Sequence, residues 1–576
     1  MQKPLLIIAL VTLTLLSFSQ GTYIELGSDA YDYLSRIDVK YGKIIPIEHT
    51  ANKTYLRSDV AKIAETLLLS NLRFTKVQKF QLQYLIDENA EWLDSLHSKT
   101  KRPLFKKLYT EPASFASVSS KKKGLFDLRF NPMIGVNIGG ESDDGGRFIF
   151  SRSVGLEVRG NIKQVFSFYL NATGNDERTP AYVEQLVLRG RPTWQQLFAF
   201  MPGEAYYKLY NSTLFKFNYG VDYFDARGYI NVNILKYMNL TFGRDKNFIG
   251  DGQRSLFLSD NSAPYLFLKF KLKIWKFDYE NIFAQLNSHY IRGLDTLLPK
   301  KYMATHHLSM QVTHWLNLGL FEAVIMNRSD HFEFQYLNPI IFYRAVEHAL
   351  GSPDNELIGG DFKANIASRA SIYGQVLFDE FNFKYFFKGN GWWANKWGLQ
   401  LGLKYVDIAP NLDGQIEFNM VRPFTYTHNS NDDYSNYNQP LAHPLGANFY
   451  EIVFNLHYQP IPKLAFNLKY FVARLGGDTL TSSTLVNFGG NILTSSDTRP
   501  SDFGNRLLQG VKETINYFDF MASYQIWHNI YFDADMLYRS QNSVKSFNNP
   551  NFIGNTFMFS VGARMNLPYN ARKYQF

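Results

Sequence analysis

From Leu125 onward the chain repeats a two-residue period over many short segments, and that period decides what it can become. Trp397, Leu399, Leu401, Leu403 and Tyr405 alternate with Gly398, Gln400, Gly402 and Lys404, so one face of a strand is apolar and the other small or polar. The pattern recurs in Ile452, Phe454, Leu456 and Tyr458 and, after only Gln459 to Lys463, in Leu464, Phe466, Leu468 and Tyr470. Ile530, Phe532, Ala534, Met536 and Tyr538 oppose Asp533, Asp535 and Arg539; Phe557, Phe559, Val561, Ala563, Met565 and Leu567 oppose Met558, Ser560, Gly562, Arg564 and Asn566. One such strand fits a soluble sandwich. Many of them, with aromatic ends and alternately short and long connections such as Asn429 to Ala442, predict a transmembrane barrel.

Composition agrees. Aromatic residues make up 16% of the chain, yet its mean hydropathy is -0.24. Those values conflict for a helical membrane protein and agree for a barrel that puts every second residue in lipid and the others in a wet lumen. No segment reaches the 18 consecutive apolar residues of a spanning helix, so any span is made of strands. With roughly 10 residues per strand and similar connections, the residues after Gly124 hold about 16 to 20 strands, and we expect 18. The fold class is therefore all-β transmembrane, an outer-membrane antiparallel β-barrel with a small N-terminal helical module.

That module follows a signal peptide over residues 1–19, an apolar run from Leu5 to Leu16 closed by Ser17 and Ser19, with cleavage expected between Ser19 and Gln20. Residues 20–98 carry helical spacing, in Tyr31, Leu34, Ile37, then Val60, Ile63, Ala64, Leu67, then Val77, Phe80, Tyr84; Thr75 and Gln78 have capping-box spacing. We expect this module on the periplasmic side, against or under the barrel. Residues 99–124 form a basic linker with Lys99, Lys101, Arg102, Lys106, Lys107 and Lys121 to Lys123, and residues 125–576 the barrel, ending on Phe576, an aromatic mark of the kind read by outer-membrane insertion machinery.

The chain has no cysteine, which excludes disulfides, thiolate metal sites and Cys nucleophiles. Its net charge of +9 comes from basic residues spread along alternating strands, which points to anionic lipid and lipopolysaccharide or acidic polysaccharide and away from nucleic acid. Zinc, nucleophile-elbow, phosphate-loop and EF-hand motifs are missing. His306, His307 and His314 lack carboxylates at ligand spacing, so we expect no metal, no cofactor and no enzyme. Asp432 and Asp433 lie in a polar loop and read as a solvated tip. The run from Gly243 to Asp260 is denser in mixed charge than a barrel surface requires; its Arg244, Asp245, Lys246, Asp251, Arg254 and Asp260 read as a lumen charge cluster or a polysaccharide site.

That run, with Leu337 to Arg344, Leu350 to Asn355, Gly391-Trp392-Trp393, Gln439 to Asn448, Leu26 to Tyr31 and Arg57 to Ala61, resembles the Wzi-type capsule assembly family over nearly the whole mature chain. It is most similar to the Bacteroidota branch, which includes proteins resembling the gliding-motility protein RemB. The resemblance implies an 18-stranded outer-membrane barrel over a periplasmic helical bundle, helping to hold or assemble surface polysaccharide as a non-catalytic lectin. Trp392, Trp393, Tyr426, Tyr434 and Tyr437 are the aromatic candidates for stacking on sugar rings. The competing readings are a structural subunit of a gliding-motility, secretion or barrel-assembly complex, and a passive diffusion pore.

Overall fold

The computed structural model describes residues 21–93, 114–120 and 125–576, less 143–145, 164, 191–198, 236, 290–296, 329–330, 339–341, 352–353, 429–430, 482–483, 544–553 and 570–573. The expected cleavage site at Ser19 and Gln20 and the lysines of the basic linker lie outside the described residues. Among the described residues three helices come first: α1 (Ala30–Tyr41), α2 (Arg57–Leu69) and α3 (Lys76–Glu88). Thr75 caps α3 with the reciprocal Thr75–Gln78 box, which satisfies two backbone donors that a helix start leaves open. The helices pack through Leu34, Ile37, Val60, Ala64, Leu67 and Leu85.

Eighteen barrel strands follow. The first nine are β1 (Phe126–Glu141), β2 (Arg147–Ile162), β3 (Phe166–Arg178), β4 (Phe217–Leu235), β5 (Met238–Asp245), β6 (Tyr265–Ile274), β7 (Phe277–Asn287), β8 (Lys300–Thr313) and β9 (Leu316–Met326). The rest are β10 (Asn355–Ile366), β11 (Ala370–Phe378), β12 (Trp397–Ala409), β13 (Leu412–Val421), β14 (Phe449–Ile461), β15 (Leu464–Gly477), β16 (Val511–Trp527), β17 (Ile530–Ser543) and β18 (Asn555–Met565). Each pairs antiparallel with its neighbour, and β18 returns to β1 through the Ile134–Met565 register, so the sheet closes. Closure removes the open edges that lipid cannot satisfy.

The alternation expected from sequence is the alternation observed. Leu401, Leu403, Phe454, Leu456, Phe559 and Val561 stand exposed on the outer face while Gln400, Glu451, Met558 and Ser560 are buried within. A one-residue slip would exchange the two sets, so the register is held by every strand at once. Connections of two or three residues join β2 to β3, β4 to β5 and every later even strand to the next, all at one end; the longer connections gather at the other.

The helical module covers the short-turn end. Arg36 of α1 pairs with Asp407 and Asp413 at the β12–β13 turn, and Asp38 with Lys363 near the β10–β11 turn. Gln81 of α3 donates to Gln459, and the Tyr84 hydroxyl to Asn529 at 2.8 Å. The strongest junction is the Glu88 carboxylate, which accepts from Arg57 at 3.0 Å, Arg159 of β2 at 3.1 Å, His528 at 3.0 Å and Asn529 at 2.7 Å. Burial alone would raise this carboxyl, but Arg159, His528 and Arg57 hold it well below the ordinary range.

Candidate functional site

Long connections turn inward as well as outward, and two of the inward ones hold most of the charged run and the loop carboxylates singled out from sequence. The first, residues 246–264 between β5 and β6, carries most of the charged run. Arg254 at its middle forms a two-pronged pair with Glu451 of β14, at 2.9 and 3.3 Å, and its backbone N–H donates to Glu417 of β13 at 3.0 Å. In a ring of eighteen strands β14 stands opposite β5, so this segment crosses the lumen. Leu256, Phe257 and Leu258 on it are fully buried, and Phe257 stacks on Phe321 of β9 with ring centroids 4.5 Å apart. The wall makes room for it: a Cβ on Gly359 of β10 would lie 2.4 Å from the Phe257 ring.

The second, residues 422–448 between β13 and β14, reaches back across to β7, β8 and β10. Lys301 of β8 donates to the Asp433 carboxylate at 3.2 Å and to its carbonyl at 2.7 Å; Asn355 donates to the Asp432 carbonyl at 2.8 Å. The expectation of a solvated tip at Asp432 and Asp433 is corrected by these contacts: Asp433 is 2% exposed and serves as the counter-ion of a buried lysine. The two segments bind each other, since the Ser259 N–H donates to the Leu441 carbonyl at 2.7 Å and the Tyr426 hydroxyl to the Leu256 carbonyl at 2.8 Å. From the opposite end the helical module meets the first segment, with the Gly250 N–H on the Ala51 carbonyl and Thr50 on Asp251. Together with the C-terminal residues, where Gln575 accepts from Arg254 at 3.3 Å and from Lys469 at 2.9 Å, these parts of the chain fill the lumen.

This geometry sorts the residues singled out from sequence. Asp245 lies 3.9 Å from Arg227, and Asp251 accepts from Thr50 at 2.6 Å. Burial would raise the Asp251 carboxyl, yet Lys363, Lys53 and Lys404 hold it below its usual value; burial lowers the Lys246 ammonium. Lys246, Asp251, Arg254 and Asp260 line one cavity. Arg244 does not join them: it shares the outward parity of Phe242 and bonds the Ala226 carbonyl. His307 pairs with Asp361 at 2.7 Å on the lumen side, whereas His306, on the opposite face of β8, bonds Glu322 at 2.6 Å and stacks on Tyr343 at 4.5 Å.

The aromatic candidates separate as sharply. Tyr426 and Tyr434 have no exposed surface and stack on each other at 5.8 Å inside the filled lumen, so as sugar platforms they are corrected to core residues. Tyr437 is half-buried, its backbone N–H on the Asn287 carbonyl. Trp392 and Trp393 sit at the long-loop end, after α6 (Phe383–Lys388) if α4 (Ala181–Arg189) and α5 (Tyr343–Leu350) are counted before it. There Trp392 stacks on Tyr385 at 4.9 Å and meets Phe503 at 5.0 Å, while the Arg499 guanidinium lies 3.9 Å from the Trp393 ring. Phe503 is 46% exposed. Tyr385, Arg499 and Phe503 were not foreseen, because Arg499 and Phe503 lie on a different connection from the tryptophans and no local pattern joins the two.

No protein-family model matches the sequence, and no curated protein matches it. Among solved structures, Wzi, an outer membrane protein involved in group 1 capsule assembly in Escherichia coli and a carbohydrate-binding β-barrel, is similar over 95% of this chain and 99% of its own, with a TM-score of 0.55 and 12% identity. The fold is a Wzi-like outer-membrane barrel. OccAB2 of Acinetobacter baumannii and OprD of Pseudomonas aeruginosa are more distant, each with a TM-score of 0.40 over 76% of this chain and with 97% and 94% of their own chains covered, at 10% and 11% identity. At such identities a Wzi-like fold does not specify a ligand, which has to be argued from the side chains.

Proposed function

We propose that this chain binds and anchors surface polysaccharide at its long-loop end, without catalysis, as an outer-membrane barrel whose helical module faces the periplasm. The observation that carries the reading is the Trp392, Tyr385 and Phe503 cluster with Arg499 and Trp393 beside it, standing over a lumen filled from both ends. Sugar rings have apolar C–H faces that stack on aromatic rings, and a guanidinium offers paired donors to a carboxylate or hydroxyls. Half-buried rings held by one another are already ordered, so stacking costs little further entropy. The Wzi-like fold supports the same reading.

The filled lumen opposes the passive-pore reading, in which a chain of water must connect the two ends. The expected result in planar bilayers is no steady single-channel conductance from the purified protein. The direct test immobilises purified protein over its host's surface polysaccharide and measures retention. Wild type should bind saturably, and Trp392→Ala combined with Phe503→Ala should weaken binding at least tenfold while unheated gel mobility still reports a folded barrel. Equal binding by both proteins would overturn the proposal.

A further inference from the structure

Between the helical module and the inward segment 246–264 lies a cavity of about 370 Å³. It is walled by α1, by the segment from Lys246 to Asn261, and by lumen-facing residues of β10 to β16. Its size falls in the range of small-molecule sites. None of the long-loop aromatics touches it, so it is separate from the polysaccharide platform.

Its wall chemistry is specific. Eight Lys and Arg face nine Asp and Glu around it, so the charge of the wall nearly cancels. Many of these groups are committed to partners: Arg36 to Asp413, Lys363 to Asp38, Arg227 to Asp225, Arg254 to Glu451. A ligand of net charge would find its attraction to one sign offset by repulsion from the other. A ligand rich in hydroxyl groups gains from both, because each hydroxyl donates to a carboxylate and accepts from an ammonium or guanidinium. The wall also holds polar atoms still open to bonding. Lys404 meets Ser35 at a long 3.4 Å and lies over the Tyr373 ring at 5.4 Å, and among the described residues the Ser371 hydroxyl and the free ring nitrogen of His457 have no hydrogen-bond partner.

We infer that this cavity is a binding site for a neutral, hydroxyl-rich molecule of one or two sugar rings, held between the helical module and the lumen segment. Binding there joins the two bodies that form the wall, so an occupied site ties the module more firmly to the barrel.

The test uses full-length protein in detergent, titrated calorimetrically with glucose and with maltose, and with glucuronate as the acidic counterpart. Saturable binding of a neutral sugar is expected, with glucuronate bound no more tightly. Lys404→Met and His457→Phe should each weaken it at least tenfold, and Trp392→Ala should leave it unchanged. Loss of neutral-sugar binding in Trp392→Ala would place the ligand on the outer platform and overturn the inference. So would tighter binding of glucuronate, or no binding of any sugar by folded wild type. If either cavity variant misfolds, a crystal structure of wild type soaked in maltose decides: density for a sugar ring in the cavity supports the site, and water alone overturns it.

Discussion

Along β12 two chemistries run side by side on one backbone. Leu401 and Leu403 face outward, partly exposed, with no polar duty. Gln400, one residue away, is fully buried and donates to the Arg254 carbonyl at 3.0 Å and to Asn419 at 2.9 Å. Gly402 faces the lumen by the same alternation, and glycine is required there because a Cβ would lie 2.1 Å from the Tyr373 ring. The outer wall needs only apolar surface, and any side chain of roughly the right size provides it. The lumen needs particular partners, since a buried polar group without one costs about 1–3 kcal/mol, roughly twice what a bond contributes. The wall should therefore tolerate change in kind, and the lumen should not.

The largest expected contrast comes from the lumen. Arg254→Met leaves Glu451 buried without its main counter-ion and should cost about 3–5 kcal/mol of barrel stability, whereas Arg254→Met with Glu451→Leu should recover most of it. Urea unfolding in detergent measures both, and equal loss in the single and double variants would break the comparison from the lumen side. On the wall, Leu403→Arg near the strand midpoint should cost about 2–4 kcal/mol, and Leu403→Ile close to nothing. A large penalty for the isoleucine would break it from the other side.

A third effect depends on pH. His49 of the helical module is 3% exposed, with Nδ1 at 2.9 Å from Ser309 of β8. Burial, with Lys273 and Lys271 nearby, pulls its imidazole down to about 3. A depressed histidine favours the folded state above its ordinary value near 6.5 and loses that contribution as pH falls toward 3, because the unfolded chain binds the proton first. Docking of the module should weaken by about 2 kcal/mol by pH 5, at about 1.4 kcal/mol per pH unit. His49→Asn should flatten that dependence, measured as protease sensitivity of the module against pH; an unchanged slope would show that another group sets it. The smallest effect is Trp392→Ala, with a stability change under about 1 kcal/mol in thermal unfolding despite its predicted loss of binding.

These contrasts explain what could be read before the fold was known. Period-two alternation is local, so Leu401, Phe454 and Phe559 announced the outer wall and, through strand length, a closed barrel of eighteen strands. The helical module was legible for the same reason, down to the Thr75–Gln78 cap. The charged run stood out by composition, but its counter-charges did not: Arg254 finds Glu451 across the barrel, and Glu88 finds His528 from the far end of the chain. Tyr426 and Tyr434 looked like loop aromatics because nothing local says that residues 422–448 fold inward. Likewise the partners of Trp392 became visible only when Phe503 was placed beside it.

The measurement closest to the central claim compares cell-bound and shed polysaccharide in a deletion strain complemented with wild type or with Trp392→Ala and Phe503→Ala together. Shedding on deletion, retention with wild type and renewed shedding with a folded, correctly inserted double variant is the predicted result. Full retention by that variant, or unchanged retention on deletion, would contradict the account.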